Sequence, residues 1–472
     1  MPHVIGIDLG SQSVKAVRCD ETFRVVADHR VPIETTYPQP GWAEQDPDTW
    51  VAAVHQALAA VGKDGVAAIA IAGQLDGCVA VDPAGHALHP ALIWQDRRAT
   101  AEAALAERAR VHAITGQVAD ASHMAAKIRW LVARGVRAAR FDQPTSYVVA
   151  RLTGASAIDP ALASTTMLYD LAARAWSSEL AREFAIDLAQ LPALAPTCSI
   201  VGDHGGIPVA VGTGDDFATP LGAGLAAPGP IALGLGTAEV VGAISDAPVL
   251  DLPAARTASD PWRDLREPMV ETHAFPTGAY FVEHPGWLSG GAVRWAARML
   301  GLGSDAELDA LAASAPAGAG GITFVPALAG QMTPVWRPEL RGALHGLSAA
   351  HDRAHVARAV LEGLAFACRD VVERLAALGL PANELVALGG GAASRTWMQL
   401  RADVLGRPHH VTGRADTCAI GAAMIAAVAV GLHRDLATAA AHAPPPVETF
   451  QPRDSLEGAY ARYREFAACH LL

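Results

Sequence analysis

Charge is scarce in this chain, and positive charge is scarcer than negative. Charged residues make up 18% of 472, with 36 Lys and Arg against 48 Asp and Glu, a formal net charge of −12. There is no basic block, which argues against nucleic acid or an anionic membrane as a partner. An anionic ligand would have to be held locally, by backbone amides and a metal ion. The six cysteines are scattered, with no two within four residues of each other. That spacing excludes zinc ribbons and CxxC redox pairs and reads as free thiols in a reducing cytoplasm. The N-terminal MPHVIGIDLG has no basic flank and carries an acid at position 8, so it is not read as a signal peptide. The uncharged run Thr417–Leu432 is shorter than the roughly 20 residues that span a bilayer, and reads as a buried Ala-rich helix. The chain also lacks the GxxxxGK[ST] signature of a Walker loop.

What it has in quantity is apolar surface. Hydrophobic residues make up 51%, enough for two cores at roughly 100–200 residues per domain. Strand-like and helix-like segments alternate throughout, which indicates α/β layers. The first half offers a helix over Thr49–Val61, strands at Val66–Ala72 and Ala91–Trp94, and helices over Ala99–Ala113, Met124–Gly135 and Trp176–Phe184. A strand at Gly205–Val211 leads into TGDD. The second half offers a long helix near His355–Leu378, a strand at Glu384–Leu388 and a helix over Ser394–Leu405. Ala313–Gly321 and Ala441–Pro452 read as surface loops. The boundary falls near Ala226–Pro230, giving domains 1–228 and 229–472.

One pattern occurs twice. VIGIDLGSQSVKAV reads as a β-hairpin with a polar turn, and IALGLGTAEVV repeats it in the second half, with Leu235-Gly236-Thr237 echoing Leu9-Gly10-Ser11. Glycine lets backbone approach a phosphate closely, and the N–H and hydroxyl groups of Gly10, Ser11, Gln12 and Ser13 could donate to its oxygens. Two such turns across one cleft fit a nucleoside triphosphate. Asp8, ending the first strand, could orient a magnesium-bound water. In TGDD, Asp215 and Asp216 end a strand where α/β folds bind ligands, and one could take a proton from an attacking hydroxyl. Either could instead cap a helix starting near Phe217. Gly389–Gly391 joins a strand to a helix and suits a nucleotide base or phosphate. Gln74-Leu75-Asp76 and Trp94-Gln95-Asp96-Arg97 offer the acids, amides and indole of a carbohydrate site. Core packing for Trp94, and a salt bridge between Asp96 and a neighbouring Arg, are the plainer readings.

Taken in order, these segments resemble the FGGY carbohydrate kinases, and among them the xylulokinases. The resemblance runs from IGIDLGSQSVKA through GWAEQDPDTW, IAGQLDG, IWQDRR, TGDDFATPLGAG, LGLGTAE, FVPALAGQMTP, RAVLEGLAF, LGGGAASRTWMQLRADVL and IGAAMIAA. It implies two actin-like, ribonuclease-H-like domains flanking a central cleft, with sugar on the first and nucleotide on the second. It implies ATP and Mg2+, and D-xylulose phosphorylated to D-xylulose 5-phosphate as the first candidate reaction. Asp215 takes the family's catalytic-base position and Asp8 the position near magnesium. Gly10, Ser11 and Ser13, Gly236 and Thr237, and Gly390, Gly391 and Ala392 take the nucleotide positions. Gln74, Leu75, Asp76, Trp94 and Asp96 take the sugar side. Dimers are common in the resembled family, so a homodimer is one arrangement it implies.

Two departures bear on the sugar. Xylulokinases usually carry Met-His where this chain has Leu75-Asp76, and an ionised Asp accepts hydrogen bonds without donating any. Gly330-Gln331-Met332 replaces the usual Gly-Glu-Arg. Another ketose, a polyol of the erythritol type, and a non-catalytic sugar and nucleotide sensor therefore stand as alternatives.

Overall fold

Both glycine turns close antiparallel hairpins, and both hairpins occupy the same place in their own sheet. In this computed structural model, residues 2–252, 268–330, 337, 339–413 and 416–470 are described. β1 (His3–Leu9) pairs with β2 (Ser13–Cys19), placing Asp8 opposite Lys15. β3 (Val25–Pro32) lies beyond β2, and β4 (Val66–Gly73) runs parallel to β1 on its other side. β5 (Ile200–His204) and β6 (Ile207–Ala210) complete the order β5-β6-β4-β1-β2-β3. Thr213–Gly214 adds a short parallel pairing to the end of β4.

The second sheet repeats the arrangement. β7 (Ile231–Leu235) and β8 (Ala238–Ser245) form the hairpin. β9 (Glu271–Ala274) and β10 (Tyr280–Leu288) extend it beyond β8. β11 (Leu385–Leu388) runs parallel to β7. β12 (His409–Val411) and β13 (Glu448–Phe450) follow, giving β9-β10-β8-β7-β11-β12-β13.

The unbroken apolar run of β1 has a direct cause: both of its faces are covered. Ile5, Ile7 and Leu9 face a core shared with Trp50, Val54 and Leu58 of α1 (Pro47–Val61). Val4 faces the opposite core, which includes Ala419, Ala423 and Met424. α1 starts two residues before the sequence-based expectation, because Asp46 caps it by accepting from the Asp48 N–H and Pro47 fits the first helical turn. Helices α2 (Met124–Ala133), α3 (Pro144–Thr153) and α4 (Asp215–Gly222) complete what the first-half site needs. In the second half, α5 (Arg353–Ala377) carries a capping box between Asp352 and His355, and α6 (Arg395–Leu405) starts at the Ser394 cap.

The uncharged run near the C-terminus is the buried helix α7 (Thr417–Ala429). It belongs to the second half of the chain yet lies on the first sheet. Its small residues bring backbones into contact: a Cβ on Gly6 would sit 1.8 Å from the Ala419 carbonyl oxygen, and one on Gly421 would sit 2.0 Å from that of Ala218 in α4. α4 and α7 thus cross where the two halves meet. Among the described residues, no helix is long and apolar enough to cross a membrane.

Several expectations need correction. The helix over Ala99–Ala113 is two pieces, Thr100–Ala103 and Arg108–Thr115, with Ala103 and Ala106 both in the core around Met124 and Phe141. Ala441–Pro452 is not all loop, since β13 lies in it and pairs with β12. The helix α3 and the edge strand β9 were not anticipated. The Gln331-Met332 departure lies outside the described residues.

Candidate active site

The first sheet delivers its acids at strand ends. After β6, Gly212 takes a φ of 78°, a left-handed turn open to glycine, and the chain runs through Thr213–Gly214 into α4. Gly214 holds the N-cap position, so neither Asp215 nor Asp216 caps the helix; both sit in its first turn. Burial raises the Asp215 carboxyl to about 7. Asp8 and Glu283 push the same way, against the backbone N–H groups of Asp215 and Asp216. Asp8 rises to about 6, chiefly through burial, while a hydrogen bond with Cys418 and the charges of Arg30 and Lys15 pull it down. Asp216 stands well above the usual carboxylate range, from burial and the neighbouring Glu283, Asp215 and Asp76. Carboxylates from β1, α4, β10 and the loop after β4 therefore share one electrostatic neighbourhood. A carboxyl poised near neutrality is suited to taking a proton.

The turn Gly10–Ser13 has its carbonyls engaged. The Gln45 side chain donates to the Ser11 carbonyl at 2.7 Å, and the Ile33 N–H donates to that of Gln12 at 3.0 Å. The Gly10 N–H is itself spent on the Ser13 carbonyl at 3.1 Å, so what the turn has to offer a phosphate is the N–H groups that follow Gly10 and its hydroxyls. Arg30 reaches the Ser13 hydroxyl at 3.1 Å.

The loop after β4 is built less simply than its sequence suggests. The Gln74 amide donates to Gln45 Oε1 at 2.9 Å, and Gln74 is 2% exposed, so it links the loop to the Ser11 turn. Leu75 packs against the apolar clusters at the junction of the halves. Asp76 is half-buried with φ 59°, a left-handed conformation that Asp tolerates better than most side chains. Its backbone carbonyl accepts from Lys127 Nζ at 2.8 Å, and the same ammonium holds the Ile93 carbonyl at 2.8 Å. One buried lysine of α2 thus ties together both segments expected on the sugar side, at Asp76 and at Ile93 next to the half-buried Trp94. Its desolvation lowers the Lys127 pKa to about 8 against the pull of Asp76 and Asp96. Asp96 follows the salt-bridge reading and not the sugar-contact one. It is fully buried, accepts from the Ala43 N–H at 2.7 Å and pairs with Arg98 at 2.6 Å. Its oxygens are thereby taken up, and it acts as a brace.

In the second half, three backbone features meet at the end of β7. The Gly290 N–H donates to the Gly236 carbonyl at 3.2 Å, and those of Ser289 and Gly291 donate to Thr237 at 3.0 Å. Gly389, at φ 85°, abuts Leu235 so closely that a Cβ would lie 2.9 Å from its carbonyl oxygen. Gly390 is open, whereas the Ala392 methyl faces the core, so Ala392 can reach a ligand only through its backbone. Arg294 Nη2 donates to Thr237 Oγ1 at 3.0 Å from the exposed side. Beneath the turn, Glu239 and Arg401 form a fully buried ion pair, and Ser289 donates to Glu239 Oε2 at 2.8 Å.

Sequence reasoning missed His123, Lys127, Glu271, His273, Glu283 and Arg294. Glu271 and Glu283 face each other in register on β9 and β10. No local motif marks these residues; a buried charge in an apolar window was the only available signal. Among the described residues, no group of three or more His, Cys, Asp or Glu is arranged to hold a metal.

Comparison with known proteins agrees with this architecture. Residues 3–226 match the N-terminal domain of the FGGY family of carbohydrate kinases, and residues 232–430 match its C-terminal domain. A xylulose kinase from Klebsiella pneumoniae is 33% identical, covering 98% of this chain and 97% of its own. A glycerol kinase from Gloeobacter violaceus is 34% identical, covering 93% and 91%. A crystal structure of a "xyloylose kinase" from Brucella ovis superposes with a TM-score of 0.89 at 29% identity, over 99% and 98% of the two chains. Two matched domain models spanning most of the sequence, on a duplicated sheet with acids at its strand ends, settle the assignment: the chain belongs to the FGGY family of carbohydrate kinases.

Proposed function

We propose that this carbohydrate kinase transfers the γ-phosphoryl group of ATP to a hydroxyl of a neutral ketose or polyol, with D-xylulose as the first candidate acceptor and Asp215 as general base. The observation that carries the reading is the Asp215 carboxyl at the end of the first sheet, raised to about 7 by burial and by the neighbouring Asp8. The sugar-side work falls to residues 1–228 and the nucleotide-side work to 229–472.

The acceptor hydroxyl gives its proton to Asp215 while its oxygen bonds to the γ-phosphorus. The bond from that phosphorus to the bridging oxygen breaks, ADP leaves, and Asp215 later passes the proton to solvent. The turns at Gly10–Ser13 and Gly236–Thr237 hold phosphate oxygens, with Arg294 beside the second. The loop Gly389–Gly391 receives the adenosine. Asp76 and Trp94 contact the sugar.

The residues fit magnesium held in the way such sites hold it. Asp8 is a half-buried carboxylate at a strand end with Asp215 near it, a hard oxygen donor of the kind that would help hold an ion carried mainly by phosphates and water. When bound, the ion neutralises charge on the transferred group.

A second reading rests on the comparisons, since glycerol kinases are as similar as xylulose kinases. A short polyol is its acceptor. ADP release measured across pentuloses, hexuloses, glycerol and erythritol separates the two. Binding of sugar and ATP with no ADP from any acceptor would leave only the sensor reading. Asp76→His is expected to change the ranking of acceptors; an unchanged ranking would remove Asp76 as selector.

A further inference from the structure

His123, at the N-cap of α2, is 4% exposed and surrounded by acceptors. Its Nδ1 lies 3.0 Å from Asp76 Oδ1 and 3.0 Å from the Thr165 carbonyl. Its Nε2 lies 3.0 Å from the Val118 carbonyl and 3.6 Å from Glu271 Oε1. A neutral imidazole can donate from only one nitrogen, so an oxygen cage on both nitrogens calls for the imidazolium. Burial opposes that charge, but Asp76 and Glu271 outweigh it and raise the pKa to about 10.

Glu271 comes from the other half of the molecule. It lies on β9, the edge strand of the second sheet, and is 3% exposed. Its Oε1 accepts from the Val118 N–H at 2.7 Å, and the next residue binds the first half again, through Thr272 N–H to the Gly116 carbonyl at 2.9 Å. Its Oε2 faces His273 at 3.7 Å, and His273 reaches Glu283 at 3.2 Å.

Asp76 lies in the field of Asp216 and Glu283, and the His123 imidazolium is the cation in direct contact with its carboxyl oxygen, with Lys127 and Arg97 adding positive charge nearby and His273 paired with Glu283. The left-handed backbone at Asp76 and the Lys127 bond to its carbonyl fix the main chain, and His123 holds the carboxyl group. With Oδ1 held by the imidazolium, the plane of the Asp76 carboxyl group is set before any acceptor arrives.

We propose that Glu271 and His123 are positioning residues for the phosphoryl acceptor: Glu271 holds the His123 imidazolium from the opposite half of the molecule, and the imidazolium aims the Asp76 carboxylate at one acceptor hydroxyl. The inference rests on the kinase reading and deepens it. Acceptor selection then depends on how the two halves sit together, through a chain that touches neither nucleotide nor reacting phosphorus.

The test is steady-state kinetics on the full chain with the best acceptor found in the ADP-release panel. Glu271→Gln keeps the shape and removes the charge. It is expected to raise the acceptor KM about tenfold, the effect of weakening one charge-assisted hydrogen bond, and to leave the ATP KM within about twofold. His123→Leu is expected to do the same or more. His123→Asn, whose amide can still donate near the Nδ1 position, is expected to recover most of the acceptor KM. A deoxy acceptor lacking the selected hydroxyl is expected to lose less with Glu271→Gln than with the wild type. An unchanged acceptor KM in both Glu271→Gln and His123→Leu overturns the inference. So does a parallel loss of kcat and both KM values with lowered thermal stability, which marks a mere structural brace. A wild-type chain that releases no ADP with any acceptor overturns the kinase reading itself, before a variant is made.

Discussion

The two hairpins share a backbone path and differ in what supports it. In the first, the Ser11 turn rests on a neutral network. Gln45 donates to the Ser11 carbonyl and to Thr35, while Trp50 and Gln74 donate to Gln45 Oε1 at 2.9 Å. In the second, the Thr237 turn rests on the buried Glu239–Arg401 ion pair and Ser289. The residue before the Leu-Gly pair differs as well: Asp8 in the first, Gly234 in the second. Duplication preserved the strand order and the turn. Only the first copy carries an acid at that strand end, so the two hairpins differ in charge where they share a backbone path.

Removing the acid chemistry is expected to have the largest effect. Asp215→Asn should lower kcat by about 10²–10⁴-fold with the fold retained, read by coupled ADP release and circular dichroism. Breaking the ionic support should come next. Glu239→Ala leaves Arg401 buried without its charge partner and is expected to cost about 3–5 kcal/mol in denaturant unfolding. Gln45→Ala, the corresponding cut in the neutral support, should cost about 1–3 kcal/mol. Equal losses would erase the distinction between the two braces.

pH effects sharpen the same contrast. Asp215 must be ionised to act, so kcat/KM is expected to rise with pH through about 7. Asp8→Asn removes a charge that raises the Asp215 pKa, and should move that limb to lower pH. For stability the sign is opposite. Asp8 and Asp215 hold protons more tightly folded than unfolded, with pKa values near 6 and 7 against 3.8. Their contribution is complete below the unfolded value and fades as pH rises through the folded ones. The melting temperature of the ligand-free chain should therefore fall between about pH 4 and pH 7 more steeply in the wild type than in Asp215→Asn. An identical slope in both would place the titration elsewhere.

Much of this was legible in local patterns. The hairpins, α5 with its Asp352 cap, the strand before Gly389–Gly391 and the buried helix α7 all follow from apolar runs bounded by glycine or capping residues. The Asp215 strand end was legible for the same reason. Illegible were residues whose role exists only after distant segments meet. His123 and Lys127 lie in a stretch that reads as an ordinary amphipathic helix. Glu271 and Glu283 fall in strands framed by the turn Pro276-Thr277-Gly278, but that turn marks a hairpin and says nothing of the buried histidines the two acids meet. Asp96 looked like a sugar ligand because sequence shows a side chain's donors and acceptors but not which are already spent.

The chain's own order of residues determined the duplicated α/β plan, the two glycine turns and the acids at Asp8 and Asp215, because strand periodicity, turn chemistry and the reach of a few neighbouring residues are local properties. Only the tertiary structure decided that α7 lies on the first sheet, that Asp96 is a brace, and that Glu271 meets His123 across the junction of the halves. Burial and charge proximity are set by residues far apart in the chain, and those contacts shift the pKa of Asp215 and hold the carboxylate of Asp76.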